Sequence, residues 1–282
     1  MAVVKKKNKL GTFIKNFFSY LFLCIIGLFM IIPFVWMLST SLKEPGNIFV
    51  FPPQWIPNPI VFQNYVNAWN AAPFGRFFIN SIFISGSLTI GSLLTGTMAG
   101  YAFARLEFPG RDKVFMIFLG TMMIPGQVTM IPVFIILKYI GWIDSYKALI
   151  VPGIFGAGGA FFFRQFFMAI PKELEEAAII DGCSNFKVYW RIILPLSKPA
   201  LATLGTFTFL GAWNDFMWPL IVLNSPEKMT LPVGLAYFTG QYTTDWPLLM
   251  AGSMIILLPV IIVYVFNQRF FVKGIVMSGM KG

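Results

Sequence analysis

An all-α polytopic membrane fold with six crossing helices is what this sequence predicts, and three observations carry the expectation. Hydrophobic residues make up 57% of the 282 and charged residues only 11%, against ~25% charged in ordinary soluble domains; the mean hydropathy is +0.75. The apolar residues gather in six charge-poor intervals, each near the roughly 20 residues that a helix needs to cross the hydrocarbon core. The 21 Lys and Arg fall very unequally on the two sets of connecting segments, as orientation in a membrane demands.

Each element follows in order. Residues 1–16 form a basic N-terminus, and the first crossing, 17–40, runs between Lys15 and Lys43. A Pro-, Asn- and aromatic-rich stretch at 41–77 suits a folded external loop or interfacial helix. The second crossing, 78–104, lies between Arg76 and Arg105, and the third, 114–136, between Lys113 and Lys138. The fourth, 146–165, is the tightest, with sixteen uncharged residues between Lys147 and Arg164, whose long stems can snorkel. An insert at 171–198 separates it from the fifth crossing, 199–223. A second external loop, 224–246, leads to the sixth crossing, 247–268, and a tail, 269–282. The block 78–268 is thus one transmembrane core. No repeat at a fixed period is present.

Orientation comes from the basic residues. Sixteen of them, from Lys5 to Lys15, then Arg105, Arg111, Lys113, Arg164, Lys172, Lys187, Arg191, Lys198, Arg269, Lys273 and Lys281, fall on one side. Five fall on the other: Lys43, Arg76, Lys138, Lys147 and Lys228. The positive-inside rule therefore places both termini and the insert in the cytoplasm.

Several classes are excluded. The net charge of +10 sits in short segments beside apolar runs, the pattern of topology rather than of nucleic-acid binding. There is no histidine, so histidine catalysis and histidine–metal sites are absent. Cys24 lies in an apolar run and Cys183 in the insert, an unpromising pair for a disulfide. The apolar run continues past Cys24 and is long enough to span, so neither a lipoprotein site nor a cleaved signal peptide is expected. No G-x-x-x-x-G-K-[ST] phosphate cradle occurs.

The stretch "ELEEAAIIDGCSNFKVYWRIILPLSKP" (173–199), which makes up nearly all of the insert, holds four of the eleven acidic residues within nine positions. Pro171 opens a helix, where its missing N–H costs nothing, and Glu173, Glu175 and Glu176 complement the helix dipole in the first turns. Asp181-Gly182 stops it, because glycine accepts the left-handed conformation of a helix C-terminus. A second short helix starts with Ser184 or Asn185 as cap. Phe186, Tyr189, Trp190 and Ile193 then recur at i, i+3, i+4 and i+7, giving one apolar face, until Pro195 breaks it. On pattern alone two readings stand: a rigid knob for docking into a partner, or an interfacial loop joining two crossings.

The spacing adds a resemblance. Glu176-Ala177-Ala178, three residues, Gly182, nine residues, Ile192, one residue and Leu194-Pro195 resembles the EAA signature of bacterial ABC importer permeases. "AGYAFARLEFPGRD" (99–112), "GAWNDFMWPLIVL" (211–223) and "NQRFFVKGIVMSGMKG" (267–282) look like the carbohydrate-uptake group, near the second permease subunit of maltose-type and multiple-sugar systems. The resemblance covers residues 14–282. It implies a homologous second permease, two cytoplasmic ATPase subunits that bind the ATP and Mg, an external sugar-binding protein and a carbohydrate substrate. It implies no cofactor in this chain and a place in the bacterial cytoplasmic membrane. It also implies that Glu176, Ala177, Ala178, Asp181 and Gly182 meet the ATPase, and that Gly279 and Lys281 of the tail contact the ATPase pair. "YFTGQY" resembles, by position, a loop that enters the binding protein, with Tyr237, Gly240, Gln241 and Tyr242 as contacts.

Other residues stand out for their setting. Asp215 is the one ionisable residue in the middle of a crossing, about 24 Å along a continuous helix from Pro199. A charge there costs ~2.5–3.5 kcal/mol on the lenient scale, so it should face protein or water. With Asn214 beside it and Asn80 at the start of the second crossing, it is a candidate for the translocation path; a structural hydrogen bond is the other reading. Trp213 and Trp218 read as packing or interface anchors. Ser92, Gly96 and Gly100, four apart, allow close helix approach, either within this chain or to a sister permease. The glycines of "PGIFGAGGAF" (152–161) read as packing or a bend. A secondary transporter, a non-transporting scaffold and, as substrate, a phosphorylated polyol remain the alternatives.

Overall fold

The computed structural model describes residues 9–240 and 244–278, with side chains for 13–240 and 244–269. The helices are α1 (Lys9–Ser41), α2 (Gln63–Asn70), α3 (Phe74–Arg105), α4 (Arg111–Gly120), α5 (Gly126–Tyr139), α6 (Tyr146–Gly153) and α7 (Ala157–Met168). There follow α8 (Glu173–Ile180), α9 (Asn185–Val188), α10 (Leu194–Leu196), α11 (Lys198–Trp213), α12 (Met217–Val222), α13 (Leu231–Gly234) and α14 (Trp246–Ser278). The stretches Phe13–Ser41, Phe74–Arg105, Tyr146–Met168 and Trp246–Arg269 are each long and apolar enough to cross a bilayer. Two further pairs, Arg111–Met123 with Gly126–Tyr139 and Asn185–Leu196 with Lys198–Trp213, meet the same test as bent pairs.

Two compact units divide the chain, one formed by Met1–Ala68 with Phe238–Met254, the other by Trp69–Tyr237 with Ile255–Gly282. In the first unit the span within α1 buries none of its apolar window, as suits a helix whose solvent is lipid. Its C-terminal end is pinned instead: Asn64 donates to the carbonyls of Ser41 and Lys43 at 3.0 and 2.8 Å. The Ser41 hydroxyl lies 2.8 Å from that of Tyr65, and the buried Lys43 ammonium stands 4.1 Å over the Trp36 ring.

The second unit is built on α3, which packs along α7 and α11. Small residues permit the approach. A Cβ on Gly96 would meet the Gly159 backbone at 3.3 Å, and one on Gly100 would lie 2.7 Å from Phe163 Cβ. The small-residue stripe of the second crossing is therefore filled by α7 of this same chain.

Three predicted rods are interrupted. In the third crossing Pro125, which has no N–H and holds Ile124 extended (φ −87°, ψ 117°), separates two segments bent by 99°. The fourth is split at 154–156 into α6 and α7; the Thr95 hydroxyl donates to the freed carbonyl of Ile154, which satisfies backbone that lipid could not. The fifth does not run 199–223 as one helix: α11 ends at Trp213, and α12 begins at Met217. Asp215 therefore lies in a break, not on the continuous helix expected from its neighbours' hydropathy.

Candidate functional site

The acidic insert folds as two short helices around a glycine turn. Gly182 has φ +81°. Cys183 N–H donates to Ala178 O at 2.9 Å and Gly182 N–H to Ile179 O at 3.0 Å, the paired bonds of a Schellman stop. Ser184 then caps α9, its hydroxyl accepting from Lys187 N–H at 3.4 Å. The chain does not break at Pro195. Pro195 lacks the N–H that would close onto Arg191, and a π-helical turn over Tyr189–Ile193 carries the helix into α10.

That wider turn changes the apolar face. Val188, Tyr189 and Ile193 are buried, whereas Phe186 and Trp190 are 66% and 52% exposed. The four-residue face read from helical spacing is thus split, half inward and half outward. Helix α8 divides in the same way. Glu175 and Ala178, three apart and so on one side, point inward, while Glu176, Ala177, Asp181 and Gly182 are exposed. Ala178 joins a buried cluster with Tyr101, Phe163, Phe167, Val188 and Tyr189, which corrects its expected place on the outward surface. Ile180, 85% exposed, stands among the exposed residues instead.

What sequence reasoning missed is the anchor of this knob. Arg105, the last residue of α3, meets Glu175 with Nε 2.6 Å from Oε1, the two side chains 5% and 10% exposed. The same guanidinium donates to the carbonyls of Phe167 and Ile170 at 2.7 and 2.5 Å, closing the C-terminal end of α7. The Tyr101 hydroxyl stands 3.5 Å from Glu175 Oε2, at the limit of a hydrogen bond. One turn back, Thr97 and Tyr189 share a hydroxyl–hydroxyl bond of 2.8 Å. Burial pushes the Glu175 carboxyl above the usual glutamate range, against the pull of the Arg105 cation, the Tyr101 hydroxyl and Lys172. The knob is thus bolted to α3 by a buried ion pair and held to α7 by the apolar packing of Ala178 with Phe163 and Phe167. The charge-assisted bonds of Arg105 tie α3 to the end of α7 in a water-poor setting, where they are strong.

A second polar cluster braces the segments at 144–146 and 224–230. Asp144, in the left-handed region at φ 58°, accepts from the backbone N–H groups of Asn224 and Ser225, both at 2.9 Å. Its Oδ2 accepts from Ser225 Oγ at 2.5 Å and Lys228 Nζ at 2.8 Å. Burial alone would raise its pKa, but these bonds outweigh it and hold the carboxyl well below the ordinary aspartate range. Asn80 belongs to this brace. Its amide donates to the carbonyls of Glu227 and Met229 at 2.8 and 2.9 Å, and its oxygen accepts from Tyr146 at 2.8 Å. Buried and so committed, Asn80 holds a loop and does not line a path.

Asn214 is exposed and Asp215 half-buried, and the Asp215 carboxylate accepts from Trp218 N–H at 3.3 Å. Trp213 is a packing residue, fully buried and donating to Ile256 O at 3.1 Å, while the half-buried Trp218 has its indole N–H tethered to Ala148 O at 3.2 Å. Tyr237 is 49% exposed and Gly240 is exposed. Gln241, Tyr242, Gly279 and Lys281 lie outside the described residues.

Comparison with known proteins agrees with this architecture. The sequence profile of the family described as "Binding-protein-dependent transport system inner membrane component" matches residues 92–276. The "Arabinooligosaccharides transport system permease protein AraQ" of Halalkalibacterium halodurans is 37% identical over 245 residues, covering 86% of each chain. The "sn-glycerol-3-phosphate transport system permease protein UgpE" of Yersinia pestis is 33% identical over 272 residues, 93% of this chain and 96% of its own. In fold, the chain matches a subunit of a bacterial ABC transporter involved in the import of the acidic polysaccharide alginate. That match has TM-score 0.82 and 23% identity, over 96% of this chain and 100% of that one. A second structure, of a bacterial alginate ABC transporter in complex with alginate pentasaccharide-bound periplasmic protein, matches at TM-score 0.68 and 14% identity over 93% and 96%. With the profile filling most of the chain and relatives a third or more identical across nearly all of it, this protein belongs to the family of inner-membrane components of binding-protein-dependent transport systems, as a permease of the ABC importer type.

Proposed function

We propose that this chain is one of two homologous permease subunits of an ATP-driven, binding-protein-dependent carbohydrate importer in the bacterial inner membrane. The observation that carries the reading is the knob at 171–198. It is buried and ion-paired on its inner side through Glu175 and Arg105 and presents Glu176, Ala177, Ile180, Asp181 and Gly182 outward. A surface anchored so firmly to two spanning helices moves them when it is moved.

The Lys/Arg asymmetry puts this knob and both termini in the cytoplasm, within reach of two separate ATPase subunits that bind the ATP and Mg. ATP must favour one global arrangement of the complex over the other. Closure of the ATPase pair draws the docked knobs together, and the spans turn outward to take sugar from the binding protein. Tyr237, Gly240, Gln241 and Tyr242 sit in the loop assigned to that protein, and Gly279 and Lys281 in the tail assigned to the ATPases. The carbohydrate assignment rests on relatives whose names include arabino-oligosaccharide and glycerol-phosphate systems, so a phosphorylated polyol is the competing substrate.

Reconstitution tests it. Proteoliposomes containing this chain, its sister permease and the ATPases, given binding protein, take up sugar with ATP and not with an ion gradient. Uptake driven by an ion gradient alone, or none under any condition while the complex is intact, would overturn the reading in favour of a secondary transporter or a scaffold.

A further inference from the structure

Three helix interruptions border one groove of about 700 Å³, within the ~300–1,000 Å³ range of small-molecule clefts. Gly126 and Gln127 open α5 just after one break, Pro152 and Gly153 close α6 just before another, and Asp215 lies in the break between α11 and α12, with Met217 opening α12. Irregular backbone at membrane depth persists only where protein buries it or water reaches it. Three such breaks around one groove, with an aspartate in it, mark a hydrated recess and not a lipid-facing one.

The chemistry of the lining is specific. Asp215 accepts hydrogen bonds, Gln127 both donates and accepts, and Thr129 offers a hydroxyl oxygen, its proton being given to Gly126 O at 2.9 Å. Trp218 forms an apolar wall, its indole N–H held by Ala148 O and its backbone N–H by Asp215. Acceptors at Asp215, Gln127 and Thr129, with the Gln127 amide as donor, beside an aromatic wall suit the hydroxyl protons of a polyhydroxylated ring. The lining holds one carboxylate and no Lys or Arg. An anionic sugar entering it would meet repulsion with no cation to offset the loss of its water.

We propose that this subunit contacts the cargo directly, at Asp215, Gln127, Thr129 and Trp218, and that the cargo class so selected is neutral carbohydrate rather than phosphorylated polyol or sugar acid. The inference rests on the importer reading above and narrows its substrate.

Thiol chemistry in the assembled complex tests it. With Cys24 and Cys183 replaced by Ala, Thr129→Cys is reacted with cationic and with anionic water-soluble methanethiosulfonates, each rate divided by that for a free thiol. The expected result is a cationic preference of about tenfold, abolished by Asp215→Asn, and slowing of labelling by millimolar arabinotriose or maltotriose but not by glucuronate or glycerol 3-phosphate. No labelling would overturn the proposal by placing the groove in lipid or a closed interface. Labelling without charge preference, or without selective protection by the neutral sugars, would overturn it as well. ATP-driven uptake by the parent protein in the same vesicles separates the two claims: if the parent transports and the thiol results fail, only this inference falls.

Discussion

Removing Glu175 is the perturbation with the clearest magnitude. Glu175→Ala leaves the Arg105 guanidinium, 5% exposed, without its carboxylate. Breaking a buried pair by deleting one partner costs ~3–5 kcal/mol. Arg105 keeps its bonds to the Phe167 and Ile170 carbonyls, which places the expected cost at the lower end, about 3 kcal/mol. That is about a hundred-fold in the equilibrium for local opening. The loss falls on the contact between α8 and the ends of α3 and α7, so amide hydrogen exchange of 176–183 in the purified complex is the assay. Exchange there should accelerate by about a hundred-fold, while the middle of α3 is unaffected. Glu176→Ala, one residue away but exposed, should leave exchange unchanged and instead reduce ATP-driven uptake. Equal protection in the Glu175→Ala protein and its parent, or a larger effect from Glu176→Ala, would refute the bolt.

Other perturbations have definite outcomes. Gly100→Ala drives a methyl group to within 2.7 Å of Phe163 Cβ and 3.0 Å of Arg164 N; it should cost ~1–3 kcal/mol and lower the melting temperature in detergent more than Gly96→Ala, whose nearest contact is 3.3 Å. Gly182→Ala meets nothing within 4 Å but keeps φ near +81°, so it should cost ~1–2 kcal/mol through the backbone alone, read as faster exchange at the knob's turn. Asp144 has a folded pKa below its unfolded value, so its stabilisation is fully present above the unfolded range near ~3.9 and is lost as pH falls through the lower folded value. Acid titration of protection at 224–228 should show that loss, and Asp144→Asn should remove the pH dependence while weakening protection at neutral pH.

The intervals without charge were legible because lipid punishes charge, and each candidate span overlaps one of them, although the bent pair Asn185–Leu196 with Lys198–Trp213 begins inside the insert and carries Lys187, Arg191 and Lys198. The insert was legible too: its acidic first turn, its stop at Gly182 and its Ser184 cap are local events between residues a few positions apart. The Arg105–Glu175 pair was not, because seventy residues separate its members and hydropathy says nothing about which charges at two span ends will meet. A signal existed in hindsight, since Tyr101 and Arg105 both lie in the stretch "AGYAFARLEFPGRD". The break at 154–156 was foreshadowed by the glycines of 152–161, which read as packing or a bend, whereas that at 214–216 escaped because an apolar interval has the same composition whether its helix is continuous or not. Pro125, the glycines around 153–159 and Pro219 were the available hints. Asn80 was misassigned for a related reason: an amide at a span's edge looks the same in sequence whether it faces cargo or holds a loop.

On the proposed function, the knob between α7 and α11 transmits the work of a separate ATPase. That coupling is tested most directly by a cross-link from Ile180→Cys, at a position 85% exposed and outside the Arg105 anchor, in the cysteine-replaced complex. The expected result is a zero-length or short cross-link to the ATPase subunit whose yield changes with ATP. A complex that transports sugar with ATP yet never joins position 180 to its ATPase would contradict it.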